Sequence, residues 1–366
     1  MKQLYDIWFA YVMGVNCSNG GRISTCGLGP RLFYTMREDL KQFDLFSERQ
    51  MEAAAATDAD RVKAIYEKHL ANGIKSVNYN DREYPQRLKG ISHAPLVLFY
   101  KGDLSLLDSR CTVGVVGSRR CTAEGEKACE KISSELAQGG AVVISGLAQG
   151  VDSIAHRSCV DAGGRTVAFL GVPMDEYFPK TNKNFQDRLC AQHLVVSEYH
   201  CTYPYYSANF IYRNRLIAAC SDALCVVQAK ERSGSLATVN RAVEYEKPVF
   251  AVPGGIFTPA YSGSNKLLAE GTARVVTHGG QILSWLGFEQ PAQPDTEETV
   301  DETVDETLAL DRGAQAVLGC MEGAMNANLI IRASGMKAAA VKATLTALEI
   351  DGWVQRTANG EYIRIK

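Results

Sequence analysis

Six short apolar runs between residues 113 and 254 constrain the fold of this chain more than any other feature of its sequence. They are VGVVG (113–117), AVVIS (141–145), TVAFLG (166–171), LVVSEY (194–199), ALCVVQA (223–229) and PVFAVPG (248–254). Each run is apolar almost throughout, which is typical of strands that helices cover on both faces. Amphipathic segments separate the runs. Alternating strands and helices predict an α/β fold with βαβ units and a doubly wound, mostly parallel sheet.

The region before the sheet differs from it in composition. Residues 1–72 carry apolar side chains at helical spacing and predict a helical domain, whereas residues 73–288 contain the six runs. Within the helical region, the GLGP turn at 27–30 resembles a helix-hairpin-helix or SAM-like element, in which backbone N–H groups can meet a phosphate. A plain connection between two helices explains this turn equally well.

The region after the sheet has two parts. Residues 289–311 hold nine acidic residues and no basic ones, too little apolar surface to fold alone, so we predict an extended acidic linker. Residues 312–366 predict a helix, a turn at 334–335, a second helix and a hairpin near 359–360, which is the order of a winged helix. Seven basic against four acidic residues do not decide between duplex DNA and a partner protein as its ligand. We favour a partner protein or a structural role.

Composition limits the class of protein and its compartment. The net charge of −2 means that any nucleic-acid site must be a local cluster of positive side chains. The eleven cysteines are scattered without a Cys-x-x-Cys pair, which favours reduced thiols over disulfides or a structural metal site. No apolar run reaches the ~18 residues of a membrane span, and the N-terminal segment predicts an amphipathic helix instead of a signal peptide. We therefore expect a cytoplasmic protein without a metal or a membrane contact.

Glycine- and serine-rich turns follow four of the six predicted strands. These turns are residues 117–120, 145–152, 230–235 and 253–255. In an open α/β sheet, ligands bind beyond the carboxyl ends of the strands. Glycine lets a ligand approach the backbone, and the N–H groups at the start of a following helix attract anions. Four such turns, with two arginines in the first, predict a phosphate-binding edge of the sheet.

The expected anion is a nucleic-acid backbone or a nucleoside monophosphate. The sequence contains neither the G-x-G-x-x-G fingerprint of dinucleotide sites nor the Walker A motif of ATP sites, so we expect no cofactor. A catalytic centre is not expected either. His156 follows Asp152 by about one helical turn, but no nucleophile lies nearby, and the metal-hydrolase, nucleophile-elbow and kinase motifs are absent.

Residues 209–215 (NFIYRNR) combine two kinds of side chain that bind nucleic acid. Arginines bind phosphate, and aromatic rings offer faces on which unpaired bases stack. Three tyrosines lie just upstream, at positions 203, 205 and 206. A structural role is the alternative for this segment, since Asn214 and Arg215 begin a helix and Glu198 is a candidate ion-pair partner for Arg213.

Taken together, these motifs resemble those of the DprA/Smf family of DNA-processing proteins. The resemblance covers nearly the whole chain and rests on the order of DREYPQRL, KGD, VGVVGSRR, SGLAQGVDSIAH, DEYFPKTN, VVSEY, NFIYRNRLIAACSDA and SGSLATVNRAVEYEKPVFAVPGG. It implies a SAM-like domain, an extended Rossmann-like domain and a C-terminal winged-helix domain. It also implies a homodimer, formed through the Rossmann-like domain, that makes no covalent change to DNA. Such a protein binds single-stranded DNA, loads RecA recombinase and helps to displace single-strand binding protein in natural transformation.

The resemblance further implies which residues bind DNA. Carried over motif by motif, they are Ser118, Arg119, Ser145, Gly146, Lys180, Phe210, Arg213, Asn214, Arg215, Ser233, Gly234 and Ser235. One departure lies beside this set, because Ile211 follows Phe210 where the family usually has proline, a change that bears on base stacking. Contacts are expected mainly to phosphate, so that binding does not depend on base sequence.

Two other functions compete with DNA binding. The PGG turn at 253–255 resembles that of LOG-like nucleoside-monophosphate phosphoribohydrolases, which share this type of sheet. The glutamate of their PGG-x-GT-x-x-E signature is absent, which argues against hydrolysis. The other alternative is a scaffold whose winged helix recruits a partner while the edge of the sheet binds nothing.

Overall fold

The computed structural model describes residues 1–288, 312–321, 323–357 and 360–365. The chain divides into two compact units, Met1–Pro291 and Ala292–Lys366. The predicted acidic linker lies outside the described residues. None of the described helices has the length and apolar character that crossing a bilayer requires.

The first unit is a nine-stranded sheet with helices on both faces. Its strands are β1 (Lys75–Asn78), β2 (Val97–Gly102), β3 (Thr112–Val116), β4 (Val142–Ser145), β5 (Arg165–Phe169), β6 (Leu194–Ser197), β7 (Ala223–Val226), β8 (Val249–Ala251) and β9 (Arg274–Val275). Its helices are α1 (Lys2–Met13), α2 (Gly20–Thr25), α3 (Pro30–Thr35), α4 (Glu48–Ala56), α5 (Ala59–Ala71), α6 (Ala123–Gln138), α7 (Val151–Asp161), α8 (Lys183–Gln192), α9 (Ala208–Cys220), α10 (Ser235–Glu244), α11 (Ser262–Ala269) and α12 (Gly279–Trp285).

The strand order shows that the sheet is doubly wound, as predicted. It is β1-β2-β6-β5-β4-β3-β7-β8-β9. Neighbours from β6 through β9 are parallel, whereas β2 pairs antiparallel with both β1 and β6. From β3, the chain winds in one direction through β4, β5 and β6, and then resumes on the other side with β7. The topological switch point therefore lies between β3 and β7.

The six apolar runs form β3 to β8, because these strands lie inside the sheet. Every residue of β3, β4, β6, β7 and β8 is buried. The apolar pattern does not predict β1, β2 and β9. The first two add an antiparallel edge, and β9 consists of two exposed residues whose pairing with β8 leaves no hydrophobic signature.

The N-terminal helices α1 to α5 form as predicted and pack on the sheet. Phe33 of α3 belongs to the same buried cluster as Phe99 of β2. The ring nitrogen Nε2 of His69 accepts a hydrogen bond of 3.0 Å from the backbone N–H of Cys201. α3 begins at Pro30 of the GLGP turn, where the missing N–H of proline costs nothing. These helices share a core with the sheet, and their status as a separate domain stays a prediction.

The described part of the second unit consists of three helices and a small antiparallel sheet. Its elements are α13 (Arg312–Gly319), β10 (Met325–Asn326), α14 (Ala327–Ser334), α15 (Ala338–Ile350), β11 (Val354–Arg356) and β12 (Glu361–Arg364), with the strand order β10-β12-β11. Gly335, at φ 66°, ends α14 in the left-handed conformation that favours glycine. The predicted helix, turn, helix and hairpin are therefore present, although Asn359 of the hairpin turn lies outside the described residues.

Candidate functional site

A cleft of about 490 Å³ opens at the carboxyl edge of the sheet, at the switch point between β3 and β7. Its walls are the turn after β3, the turn after β4 with the start of α7, the part of α9 from Phe210 to Ile217, and the turn after β7 with the start of α10. Eight of the twelve predicted DNA-binding residues line it, namely Ser118, Arg119, Phe210, Arg213, Asn214, Ser233, Gly234 and Ser235. The strand-end argument thus predicts the position of this cleft.

Gln228, which follows β7, connects the two turns on either side of the switch point. Its backbone carbonyl accepts a hydrogen bond of 2.7 Å from the N–H of Ser118. Its side-chain oxygen accepts from the N–H of Thr122, and its side-chain amide donates to the Thr122 hydroxyl, both at 2.9 Å. Because Gln228 is fully buried, these bonds fix the spacing of the turns that line the cleft.

Two glycines of the SGLAQG turn are required by close packing. A Cβ on Gly150, whose φ is 81°, would lie 2.4 Å from the carbonyl oxygen of Ser118. A Cβ on Gly146 would lie 2.4 Å from Nη2 of Arg213. The turn after β4 therefore packs so closely against the turn after β3 and against Arg213 that only glycine fits at these two positions.

Positive charge surrounds the mouth of the cleft. Arg119 and Arg120 lie on one side, Lys230 and Arg232 lie on the other, and all four side chains are exposed. Within the described part of the chain, none of the four pairs with a carboxylate. The one carboxyl group in the described lining belongs to Asp152, and burial raises its pKa. The cleft therefore has a positive rim, which attracts anions.

Arg213 forms the floor of the cleft and is itself only 3% exposed. Its Nη1 donates to the carbonyl of Gly146 at 2.8 Å and also to the carbonyl of Phe169. Burial lowers the pKa of the guanidinium to about 10, against the attraction of Asp152. Arg213 thus holds the turn after β4 in place, and the proposed pairing of Arg213 with Glu198 is wrong.

The partner of Glu198 is Arg215 instead. The guanidinium donates two hydrogen bonds to the carboxylate, at 2.6 and 2.5 Å, and two more to the carbonyl of His93 at 2.9 and 3.2 Å. Arg215 is 2% exposed and does not line the cleft, although it was predicted to bind DNA. The geometry supports the structural alternative for this residue.

Three further predicted residues lie outside the cleft lining. Ser145 is buried, and its hydroxyl donates to the carbonyl of Val115 at 2.6 Å. Gly146 lies beneath Arg213, where its carbonyl serves as an acceptor. Lys180 is exposed on the short helical turn Lys180–Asn182, which follows the loop after β5.

Phe210 is mostly buried in the wall of the cleft, so little of its ring is open to a stacking base. Its ring is 7% exposed and packs against the ring of Phe178, with centroids 4.7 Å apart. The guanidinium of Arg119 lies over the same ring, 5.6 Å from its centroid. Gly171 must be glycine beneath it, since a Cβ there would lie 2.7 Å from the ring. Phe210 therefore supports its neighbours at the cleft wall.

Small polar side chains complete the wall that α10 provides. The hydroxyls of Ser233 and Ser235 are 2.7 Å apart, and the amide of Asn214 donates to the carbonyl of Gly234 at 3.3 Å. The second of these contacts connects α9 to the turn after β7. The start of α10, a helix of ten residues, faces the cleft and adds the partial positive charge of its N-terminus.

The histidine that follows Asp152 by about one helical turn lies outside the described lining of the cleft. His156 is fully buried, its Nδ1 lies 2.6 Å from the hydroxyl of Thr166, and burial lowers its pKa to about 3. The described partner of its Nδ1 is therefore Thr166 and not Asp152. Within the described residues, no group of three histidine, cysteine or acidic side chains is placed to hold a metal ion.

The predicted set of DNA-binding residues leaves out three cations of the cleft. Arg120, Lys230 and Arg232 line it, but they are absent from the predicted set. All three lie in the turns that the strand-end argument identifies, whereas the family resemblance transfers only motif residues. Their position in the turns that follow β3 and β7 is therefore the sequence signal that identifies these three cations.

Comparison with known proteins identifies the family of this chain from its residues 75–360. Residues 75–287 match the family described as DNA recombination-mediator protein A, and residues 288–360 match the DprA winged helix domain. DNA processing protein DprA of Streptococcus pneumoniae is 40% identical over 63% of this chain and 81% of its own length.

Two solved structures are similar to this chain. The crystal structure of DNA processing protein A from Streptococcus pneumoniae has a TM-score of 0.67 and 34% identity, and the match covers 78% of this chain and 98% of that one. DNA processing protein A from Helicobacter pylori, whose structure addresses its single-stranded DNA binding mode, has a TM-score of 0.53 and 29% identity over 58% of this chain and 95% of that one. The fold, the switch-point cleft and these matches together place the chain in the DprA/Smf family of DNA recombination-mediator proteins.

Proposed function

We propose that this chain binds single-stranded DNA without regard to base sequence and loads RecA recombinase onto it during DNA uptake and recombination. The observation that carries this proposal is the positive rim of the cleft. Four exposed cations and the start of α10 surround a space whose one described carboxyl group is buried. Cations of this kind bind phosphates, which are the same in every sequence.

Two observations favour an unpaired strand as the ligand. The Helicobacter pylori relative is described by its single-stranded DNA binding mode. In this chain, the cationic cleft also adjoins aromatic side chains, whose faces suit bases that have left a duplex.

A salt titration tests the proposal directly. If Arg119, Arg120, Lys230 and Arg232 each neutralise one phosphate, the slope of log affinity against log salt should be about −2.8 for a single strand. Affinity should then fall roughly 50-fold between about 50 and 200 mM salt. Fluorescence anisotropy with mixed-sequence single-stranded and duplex oligonucleotides provides the measurement. A salt-independent affinity, or a preference for the duplex, would contradict the proposal.

We propose further that binding involves no covalent change, as expected for a mediator. His156 and Asp152 are buried and have separate partners, and the PGG turn lies outside the described lining of the cleft. These positions argue against the LOG-like hydrolase alternative. The oligonucleotide recovered from the anisotropy experiment should accordingly be unchanged in length.

The partners implied by the resemblance belong to the same proposal. They are RecA, single-strand binding protein as the factor displaced from DNA, and a second copy of this chain. Exposed apolar side chains at the edge of the sheet, among them Val275 of β9 and Trp285 of α12, support a protein contact there. The winged helix exposes Leu329 and Ile350, which supports a partner protein as its ligand.

Removing residues 289–366 separates the cleft from the winged helix. Because Met1–Pro291 is a compact unit with its own core, the shortened chain should retain affinity for single-stranded DNA to within about threefold, as expected if phosphate contacts at the cleft dominate. Anisotropy with the same oligonucleotide as for the full chain is the comparison. If the shortened chain folds but does not bind DNA, the winged helix and not the cleft contains the main binding site.

A further inference from the structure

Three aromatic rings adjoin the cleft and form one cluster. Phe178 lies in the loop after β5, Tyr205 lies before α9, and Phe210 lies in its first turn. The centroid of Phe178 is 4.7 Å from that of Phe210 and 5.8 Å from that of Tyr205, and the centroids of Tyr205 and Phe210 are 5.9 Å apart. We call these three residues the aromatic cluster.

The cluster exposes two of its rings to solvent. Phe210 is 7% exposed, whereas Phe178 is 38% and Tyr205 is 50% exposed. Phe210 thus supports the other two, and a ligand leaving the cleft would meet Phe178 and Tyr205. Exposed rings held by packing against a third ring lose little side-chain entropy when a planar ligand stacks on them.

Charge around the cluster indicates which planar ligand fits. The Arg119 guanidinium lies 5.6 Å from the centroid of Phe210, on the side of the cleft. Lys180 is exposed and follows Phe178 by two residues. Positive charge therefore lies both at the cleft and next to Phe178. Aromatic faces that alternate with cations match a chain in which planar bases alternate with phosphates.

We infer that Phe178 and Tyr205 form a base-stacking subsite for the stretch of single-stranded DNA that extends out of the cleft. This inference rests on the proposed function and assigns the stacking role to two residues outside the predicted set. The inference also assigns a role to Lys180. This residue lies outside the cleft lining but next to the subsite, where it would bind the next phosphate of the strand. The bound strand is then longer than the cleft.

The double variant Phe178→Leu/Tyr205→Leu tests the inference, because leucine keeps an apolar side chain over Phe210 and removes the ring faces. Affinity is measured for an oligothymidine and for an abasic strand of equal length, which has the same phosphates without bases. The wild-type chain should prefer the oligothymidine. The double variant should lose about fivefold or more in affinity for it and little for the abasic strand.

Two further variants serve as controls. Phe178→Leu/Tyr205→Phe keeps one of the two rings and should lose less affinity for oligothymidine than the double variant does. Tyr66→Leu removes a half-buried ring of α5 outside the cleft and should leave both affinities unchanged.

The outcomes separate this inference from the proposed function. If the double variant keeps the full preference for oligothymidine, or weakens both strands equally, the stacking subsite is wrong while the cationic cleft stands. If the wild-type chain binds neither strand, both the subsite and the proposed function are wrong.

Discussion

Glu198→Ala should lower the free energy of unfolding of the sheet-containing unit by about 3–5 kcal/mol. The variant leaves the guanidinium of Arg215 buried and charged without its carboxylate, while burial itself opposes that charge. The two side chains are 5% and 2% exposed, so water cannot replace the lost partner. Urea unfolding followed by circular dichroism measures the change.

Two comparisons isolate the contribution of the buried pair. Glu244→Ala removes the partner of Arg241 in an ion pair whose side chains are both 43% exposed, and it should cost no more than about 1 kcal/mol. Glu198→Leu/Arg215→Met removes both charges and should recover much of the stability lost by Glu198→Ala. If Glu198→Ala costs no more than Glu244→Ala, the pair is not the structural element described above.

The double variant also decides between the two roles considered for Arg215. A side chain whose guanidinium donates to Glu198 and to the carbonyl of His93 is not expected to contact DNA. The folded double variant should therefore bind single-stranded DNA as the wild type does. A large loss of affinity would show instead that Arg215 contributes to DNA binding.

The sequence predicts the sheet and the position of the cleft because both depend on short-range patterns. Buried strands such as β3 and β7 are continuous apolar runs, and glycine- and serine-rich turns follow directly where each strand ends. Once the strands are placed, the rule that ligands bind at the carboxyl edge locates the site. The loop after β5 is different: its path decides that Lys180 lies outside the cleft lining, and no local pattern specifies that path.

The sequence does not show which of the two arginines of the RNR motif lies on the face of α9 that borders the cleft. Residues two apart in a helix point about 200° apart, so Arg213 and Arg215 must lie on opposite sides of α9. Amphipathic helices reveal which side faces inward, but ten of the thirteen residues of α9 are buried. The apolar pattern therefore carries no information about which arginine faces the cleft. Packing against Gly146 on one side and Glu198 on the other decides it.

Arg119→Ala should weaken binding of every single-stranded oligonucleotide by roughly 10- to 100-fold, which corresponds to one lost charge-assisted phosphate contact of about 1.5–3 kcal/mol. The slope of log affinity against log salt should become shallower by about 0.7, because one fewer counterion-displacing contact remains. The exposed side chain forms no ion pair with a described residue, so its removal should leave the fold intact. Anisotropy at several salt concentrations measures both quantities.

Arg110→Ala is the matched control for Arg119→Ala. Arg110 is also an exposed arginine that lies over an aromatic ring, at 5.3 Å from the centroid of Phe288. It precedes β3, however, and so lies at the opposite edge of the sheet from Arg119, which follows the same strand. If only net charge mattered, both variants would lose the same affinity for single-stranded DNA. A phosphate site at the carboxyl edge requires instead that only Arg119→Ala loses affinity. Equal losses would therefore show that the whole surface, and not the cleft, attracts the strand.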